Sequence, residues 1–186
     1  MPFIQTGLPD LLIYEPKVFG DERGYFFESY SEQTFNGDGI NHRFIQDNQA
    51  LSCYGVVRGL HYQNAPHAQT KLIRVLDGSI LDAVVDLRKG SPTYGQSYAV
   101  ELSAENKLQL LVPKGFAHGY SVLSASALVF YKVDSFYNKG AEGGLAYNDP
   151  ALGIDWRVPA AKMILSEKDT QYPDLQNCIH NFIYEK

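Results

Sequence analysis

Short apolar runs, cut at close intervals by Gly, Pro, Asn and Asp, leave this chain few ways to fold. "KLIRVLDGSILDAVVDLR" (71 to 88) is two such runs joined at Asp77-Gly78, a dipeptide suited to a two-residue turn with positive φ, so a hairpin is expected there. "QSYAVELS" (96 to 103), "KLQLLVPKGFAHGYSVLS" (107 to 124) and "SALVFYKVDSFY" (126 to 137) keep the rhythm. "GYFFESY" and "FIQDNQALSCYGVVRGLHYQ" supply strands ahead of them. The expected fold class is all-β, an antiparallel sandwich or small barrel. Helix signals are sparse: "SEQTF" from Ser31 supports one turn or two, and "SEKDTQ" another near the C-terminus, stopped by Pro173.

With no internal repeat, low-complexity stretch or linker, residues 1–186 are read as one domain, large enough to remove about 70% of its unfolded surface from water. A hydrophobic fraction of 45% against 20% charged residues is that of a globular protein. The net charge of −5 provides no basic footprint for nucleic acid or an anionic membrane, although local cations can still hold a small anion. Cys53 and Cys178 match no zinc or redox spacing and are read as free thiols. The N-terminal stretch has no positive charge before Lys17 and is interrupted by prolines, unlike a signal peptide. No apolar run approaches the roughly 20 residues of a membrane helix. A soluble, cytoplasmic protein is expected.

Against this background "GVVRGLHYQ" (55 to 63) is anomalous, because Arg58 and His61 interrupt a strand of aliphatic and aromatic residues. Burying ionisable groups is costly unless they are paired or change their protonation. "PKGFAHGY" (113 to 120) supplies a second case: Pro-x-Gly-x-x-His is half the signature of cupins, small double-sheet barrels whose histidine points inward. The cupin metal site also needs a His-x-His pair and a nearby Glu. Here Gln63 stands two residues after His61, and no Glu lies between residues 33 and 100, so no metal is expected.

Lys71, His118 and Tyr131 also fall in or beside strands. Each admits an ordinary explanation: an ion pair for Arg58, core histidines for His61 and His118, a snorkelling stem for Lys71, a core aromatic for Tyr131. Asp169 sits three residues after Ser166, the spacing of a capping box. Together, however, a base, an ammonium, a phenol and a carboxylate are the groups needed to move protons beside a carbonyl. Arg58 and His61 are three apart and would face opposite sides of a regular strand, unless a bulge at Gly59 realigns them.

Six segments then carry a resemblance that runs nearly end to end: "GDERGYFFESYSEQTF", "FIQDNQALSCYGVVRGLHYQ", "KLIRVLDGSILDAVVDLRKGSPTYGQ", "LSAENKLQLLVPKGFAHGYSVLS", "YKVDSFYN" and "NDPALGIDW". In order and spacing the chain resembles the dTDP-4-dehydrorhamnose 3,5-epimerase family. The resemblance implies a jelly-roll, cupin-like sandwich with a few short helices, mainly near the C-terminus, and a cofactor-free homodimer acting on a dTDP-4-keto-6-deoxy sugar. It implies that His61 is the general base at C5 and C3, that Asp169 backs it, and that Tyr131 is the acid on the opposite face. Lys71 and His118 match groups around the C4 oxygen. Arg23, Glu28, Gln46, Asp47, Asn48, Arg58, Glu142 and Lys168 match positions that hold the nucleotide sugar, and Tyr137 matches the aromatic that stacks on thymine. Exchange of N-terminal strands is expected to bring residues of one subunit into its partner's site. Two positions depart from the family pattern: Phe136 replaces a common tyrosine beside Tyr137, and Tyr147 a common tryptophan.

Rival readings are a single-carbon epimerase of another deoxysugar pathway, a 3,4-ketoisomerase, a non-catalytic sugar-nucleotide binder and a metal-dependent cupin dioxygenase.

Overall fold

A computed structural model describes residues 2–185. In chain order the strands are β1 (Phe3–Gln5), β2 (Leu12–Tyr14), β3 (Phe19–Asp21), β4 (Gly24–Phe26), β5 (Gln46–Cys53), β6 (Val57–Gln63) and β7 (Lys71–Asp77). They continue as β8 (Ser79–Asp86), β9 (Ser97–Ser103), β10 (Gln109–Val112), β11 (Phe116–Val122), β12 (Ser126–Val133) and β13 (Glu142–Gly144). One helix, α1 (Glu32–Gly37), follows Ser31, whose hydroxyl accepts the Thr34 N–H as an N-cap. Short 3₁₀ turns mark the C-terminal third, including Lys168–Thr170 within the expected "SEKDTQ".

Two sheets face each other, one ordered β1-β2-β10-β7-β12-β5 and the other β13-β6-β11-β8-β9, with β3 and β4 as a separate two-stranded arm. Within the sheets every strand pair is antiparallel, as the turn rhythm predicts.

The hairpin expected at Asp77-Gly78 does not form. β7 already pairs with β10 and β12, and β8 with β11 and β9, so neither has an edge left for the other. Only Gly78 separates them, and the chain uses it to cross from one sheet to the other. Its φ is +76°, and a Cβ there would come within 2.1 Å of the Ser126 carbonyl oxygen, which restricts the corner to glycine. The dipeptide marked the break between two strands, but pairing depends on which strand edges remain unoccupied.

Alternation along the strands sorts side chains into layers. Ile73, Val75, Val129, Leu110 and Val112 of one sheet meet Ile80, Val84, Leu102 and Val122 of the other, forming the interior core. Outward residues of the second sheet, among them Ala83, Val85 and Ala117, are covered by Leu145, Leu152, Trp156 and Phe182 from the C-terminal segment. Phe35 of α1 packs with Tyr14, Leu72 and Leu111 on the outer face of the first sheet. Each fully buried leucine or isoleucine contributes about 2 kcal/mol. The same inward alternation also points polar side chains between the sheets.

Candidate active site

Polar residues replace the core at one end of the sandwich, and each is aimed there by its strand. On β5, Gln46, Asn48, Ala50 and Ser52 alternate with the exposed Asp47, Gln49, Leu51 and Cys53. Tyr131 of β12 pairs in register with Asn48, and Lys71 opens β7 opposite Val133. These residues form one wall. The facing wall comes from β6, β11 and β8.

β6 shows how Arg58 and His61 come to share a face. His61 pairs with His118 and Arg58 with Tyr120, so three steps along β6 match two along β11. The extra residue is a bulge at Gly59-Leu60, and it turns both side chains to the interior. Gly59 has φ of +119°, and a Cβ there would lie 2.6 Å from Gly119 Cα and 2.8 Å from the His118 carbonyl oxygen. The conditional reading of Gly59 is therefore met.

His61 and Asp169 are in contact: His61 Nε2 lies 2.5 Å from Asp169 Oδ1. Asp169 is only 3% exposed, and burial alone would raise its carboxyl. The imidazole and the Ser166 hydroxyl outweigh this and hold it below the usual range. The Asp169 N–H also donates to Ser166 Oγ at 3.2 Å. The capping spacing is thus real at the backbone, while the carboxylate serves the histidine. With Nε2 engaged, Nδ1 is the ring nitrogen left to accept a proton. Tyr172 meets the imidazole edge-on, with ring centroids 5.6 Å apart.

Tyr131 faces His61 across a cavity of about 170 Å³ that Arg58, Lys71, His118 and Tyr120 also line. Burial raises its phenol, against the opposing influence of Arg58, so it stays protonated at neutral pH. Lys71 does not snorkel outward. Burial pulls its ammonium down to about 8, with Asp82 and Glu142 limiting the drop. His118 is buried and its Nε2 lies 2.9 Å from both carboxylate oxygens of Asp82. Burial lowers its pKa despite that carboxylate.

Arg58 Nε donates to Ser52 Oγ at 3.1 Å, and among the described residues its guanidinium meets no carboxylate. The structural ion-pair explanation is removed, and a cation is left facing the groove. At the mouth, the Tyr137 hydroxyl donates to Glu142 Oε2 at 2.9 Å, and Lys168 pairs with the other oxygen of that carboxylate. Burial would raise the Glu142 carboxyl, but Lys168 and Tyr137 hold it below the usual range.

Three expected residues lie elsewhere. Asp47 points to the outer face and pairs with Lys132 at 2.8 Å, a direct result of its odd place in the β5 alternation. Arg23 sits on the β3–β4 arm, paired with Asp21 beside a separate cavity of about 350 Å³. Glu28 follows the arm, its carbonyl accepting the Tyr14 hydroxyl at 3.3 Å. Within one chain neither reaches the groove. Tyr147 packs in the cluster behind the second sheet, away from the groove, so the departure there leaves the site untouched.

Sequence reasoning missed Asp82, which is 0% exposed and anchors His118. The signal was present, since Asp82 is a carboxylate within an apolar strand, the same anomaly that singled out Arg58. Tyr172 carried no signal among 13 tyrosines.

A base backed by a carboxylate on one wall and a protonated phenol on the other can take a proton from one face of a carbon and return one to the opposite face. An ammonium between them can hold the charge of an enolate.

The family profile described as dTDP-4-dehydrorhamnose 3,5-epimerase matches residues 5–177. A dTDP-4-dehydrorhamnose 3,5-epimerase of Shigella flexneri is 50% identical over 91% of this chain and 93% of its own. The crystal structure of the Elizabethkingia anophelis enzyme of that name superposes with a TM-score of 0.91 at 53% identity, covering 94% of this chain and 96% of its own. A dTDP-6-deoxy-D-glucose 3,5-epimerase of Legionella pneumophila, solved with dTDP-4-keto-L-rhamnose, gives 0.90 at 46% identity over 94% and 93%.

Proposed function

The chain belongs to the dTDP-4-dehydrorhamnose 3,5-epimerase family, and from that premise we propose how its own residues perform the reaction. The protein converts dTDP-4-dehydro-6-deoxy-D-glucose to dTDP-4-dehydro-L-rhamnose, inverting C5 and C3 of the sugar in dTDP-L-rhamnose biosynthesis. Both carbons flank the C4 ketone, so loss of either proton forms an enolate. His61 Nδ1 removes the proton, and Asp169 stabilises the imidazolium through Nε2. Lys71 and His118 face the C4 oxygen, where the Lys71 ammonium offsets the developing charge. Tyr131 then delivers its proton from the other side. The observation that carries this assignment is the placement of His61, held by Asp169, and Tyr131 on opposite walls of one cavity.

Arg58 and Lys168 hold the diphosphate, Gln46 and Asn48 the sugar nucleotide beside them, and Tyr137 stacks on thymine above Glu142. Arginine suits the diphosphate because its fork of donors fits two oxygens at once. Asp47, committed to Lys132 on the outer face, is left out of this set. Arg23 and Glu28 enter from the partner of a homodimer, whose β3–β4 arms are exchanged. Two features support that assembly: β5 is a sheet edge whose Leu51 is 67% exposed, and Phe19, Tyr25 and Phe26 stand exposed on the arm. Free thiols at Cys53 and Cys178 accord with work in the cytoplasm.

Turnover in deuterated water tests the reaction. Product labelled at both C3 and C5 is expected, whereas label at one carbon would make this a single-carbon epimerase. His61→Ala should slow labelling about 10²- to 10⁴-fold while dTDP still binds.

A further inference from the structure

Gln63 occupies the position where a metal-binding cupin places its second histidine, and its amide is used for something else. It is 7% exposed and borders the groove. Its Nε2 donates to the His67 carbonyl at 2.8 Å and to the Phe136 carbonyl at 3.3 Å. Its Oε1 accepts the Asn138 N–H at 2.6 Å. Both donors and an acceptor are thereby engaged with protein, and the bonds to Phe136 and Asn138 lie on either side of Tyr137.

The surrounding bonds fix the approaches to that point, and Asn138 Nδ2 lies 3.1 Å from His67 Nε2. Asp134 accepts the Thr70 N–H, and Gln69 donates to the Ser135 carbonyl at 2.7 Å. Beyond it, the Asn138 side chain caps the turn that leads to Glu142. The Tyr137 side chain is 58% exposed and, among the described residues, tied only through its hydroxyl to Glu142, so its backbone orientation depends on the flanking Phe136 carbonyl and Asn138 N–H. One buried amide holds both.

We infer that Gln63 is the positioning residue for nucleotide recognition, presenting Tyr137 to the thymine base without touching the ligand itself. This rests on the reading of Tyr137 as the stacking residue. An aromatic held ready over the site loses little freedom on binding, whereas a loose loop must be ordered by the ligand. The effect belongs to binding rather than to proton transfer, because Gln63 does not meet His61, Asp169 or Tyr131 through its amide.

The test is a double-mutant cycle read by dTDP affinity and by steady-state kinetics. Gln63→Ala and Tyr137→Ala should each weaken dTDP binding about tenfold, with the fall in kcat/KM carried by KM. The double variant should bind no worse than Tyr137→Ala alone. Gln63→Glu keeps the acceptor for Asn138 and nearly the same volume but loses both donors, so it should weaken dTDP in the same direction while melting near the parent. If Tyr137→Ala weakens dTDP and neither Gln63 variant does, or if the two losses multiply to about a hundredfold, the inference is overturned. If Tyr137→Ala binds dTDP like the parent, it is the stacking assignment beneath it that fails.

Discussion

Lys71 shows how much one buried charge decides. Its ammonium lies between the sheets, near Asp82 and Glu142, with a pKa of about 8. Below that value it is a cation facing the expected enolate oxygen, and above it the cation is lost. The rate should therefore decline as pH rises through about 8, and Lys71→Met should abolish that limb along with most of the activity. Stability runs the opposite way. Between about 8 and the ordinary lysine value the unfolded chain holds this proton more tightly than the folded one, so stability rises with pH across that window. Below it the full cost of the buried charge remains, and Lys71→Met should melt higher than the parent at pH 7. A rate profile flat to pH 9 would contradict the first statement, and a Lys71→Met variant melting below the parent at pH 7 the second.

At the scale of elements, the site depends on one bulge. A regular β6 would turn either Arg58 or His61 away from the groove, so the base and the diphosphate clamp proposed above would not share a wall. Gly59 permits the bulge because its backbone lies against Gly119 of β11 with no room for a Cβ, at a φ that other residues avoid. Gly59→Ala should cost about 2 kcal/mol or more in chemical denaturation and should lower kcat in the fraction that folds. The second loss distinguishes it from a simple packing defect, since His61 would leave its place opposite His118. β8 uses the same sheet more conservatively: Ile80 and Val84 fill the core on either side of Asp82, so a single inward carboxylate anchors His118.

Across the whole molecule, two sheets share the work. One supplies the phenol of Tyr131 and the ammonium of Lys71, the other the His61 imidazole proposed as the base and the buried His118–Asp82 pair, with the cavity in the gap between them. The arm lies outside this arrangement, and Arg23 with it. In the exchanged homodimer proposed above, a site uses His61 of one subunit and Arg23 of the other. A His61→Ala chain mixed with an Arg23→Ala chain should then recover activity on refolding together, because each mixed dimer holds one intact site. Activity that never exceeds the sum of the separate variants would show that Arg23 serves its own subunit or none.

The longer strands were legible in the sequence because turn residues and apolar runs are local signals, whereas β1, β2, β3 and β13, three residues each, were not read. Arg58, His61 and His118 were legible too, since a polar group in an apolar strand is anomalous wherever the strand goes. The cap at Ser166 was legible for the same reason, yet the use of the Asp169 side chain was not, because its partner is 108 residues away. Only tertiary structure decided that Asp77-Gly78 joins two sheets, that Asp47 faces outward while Asn48 faces in, and that Gln63 holds a loop. Sequence encodes periodicity and chemical type along one chain. Which edges are free to pair, and which side chains meet across the gap, depends on how the strands are stacked.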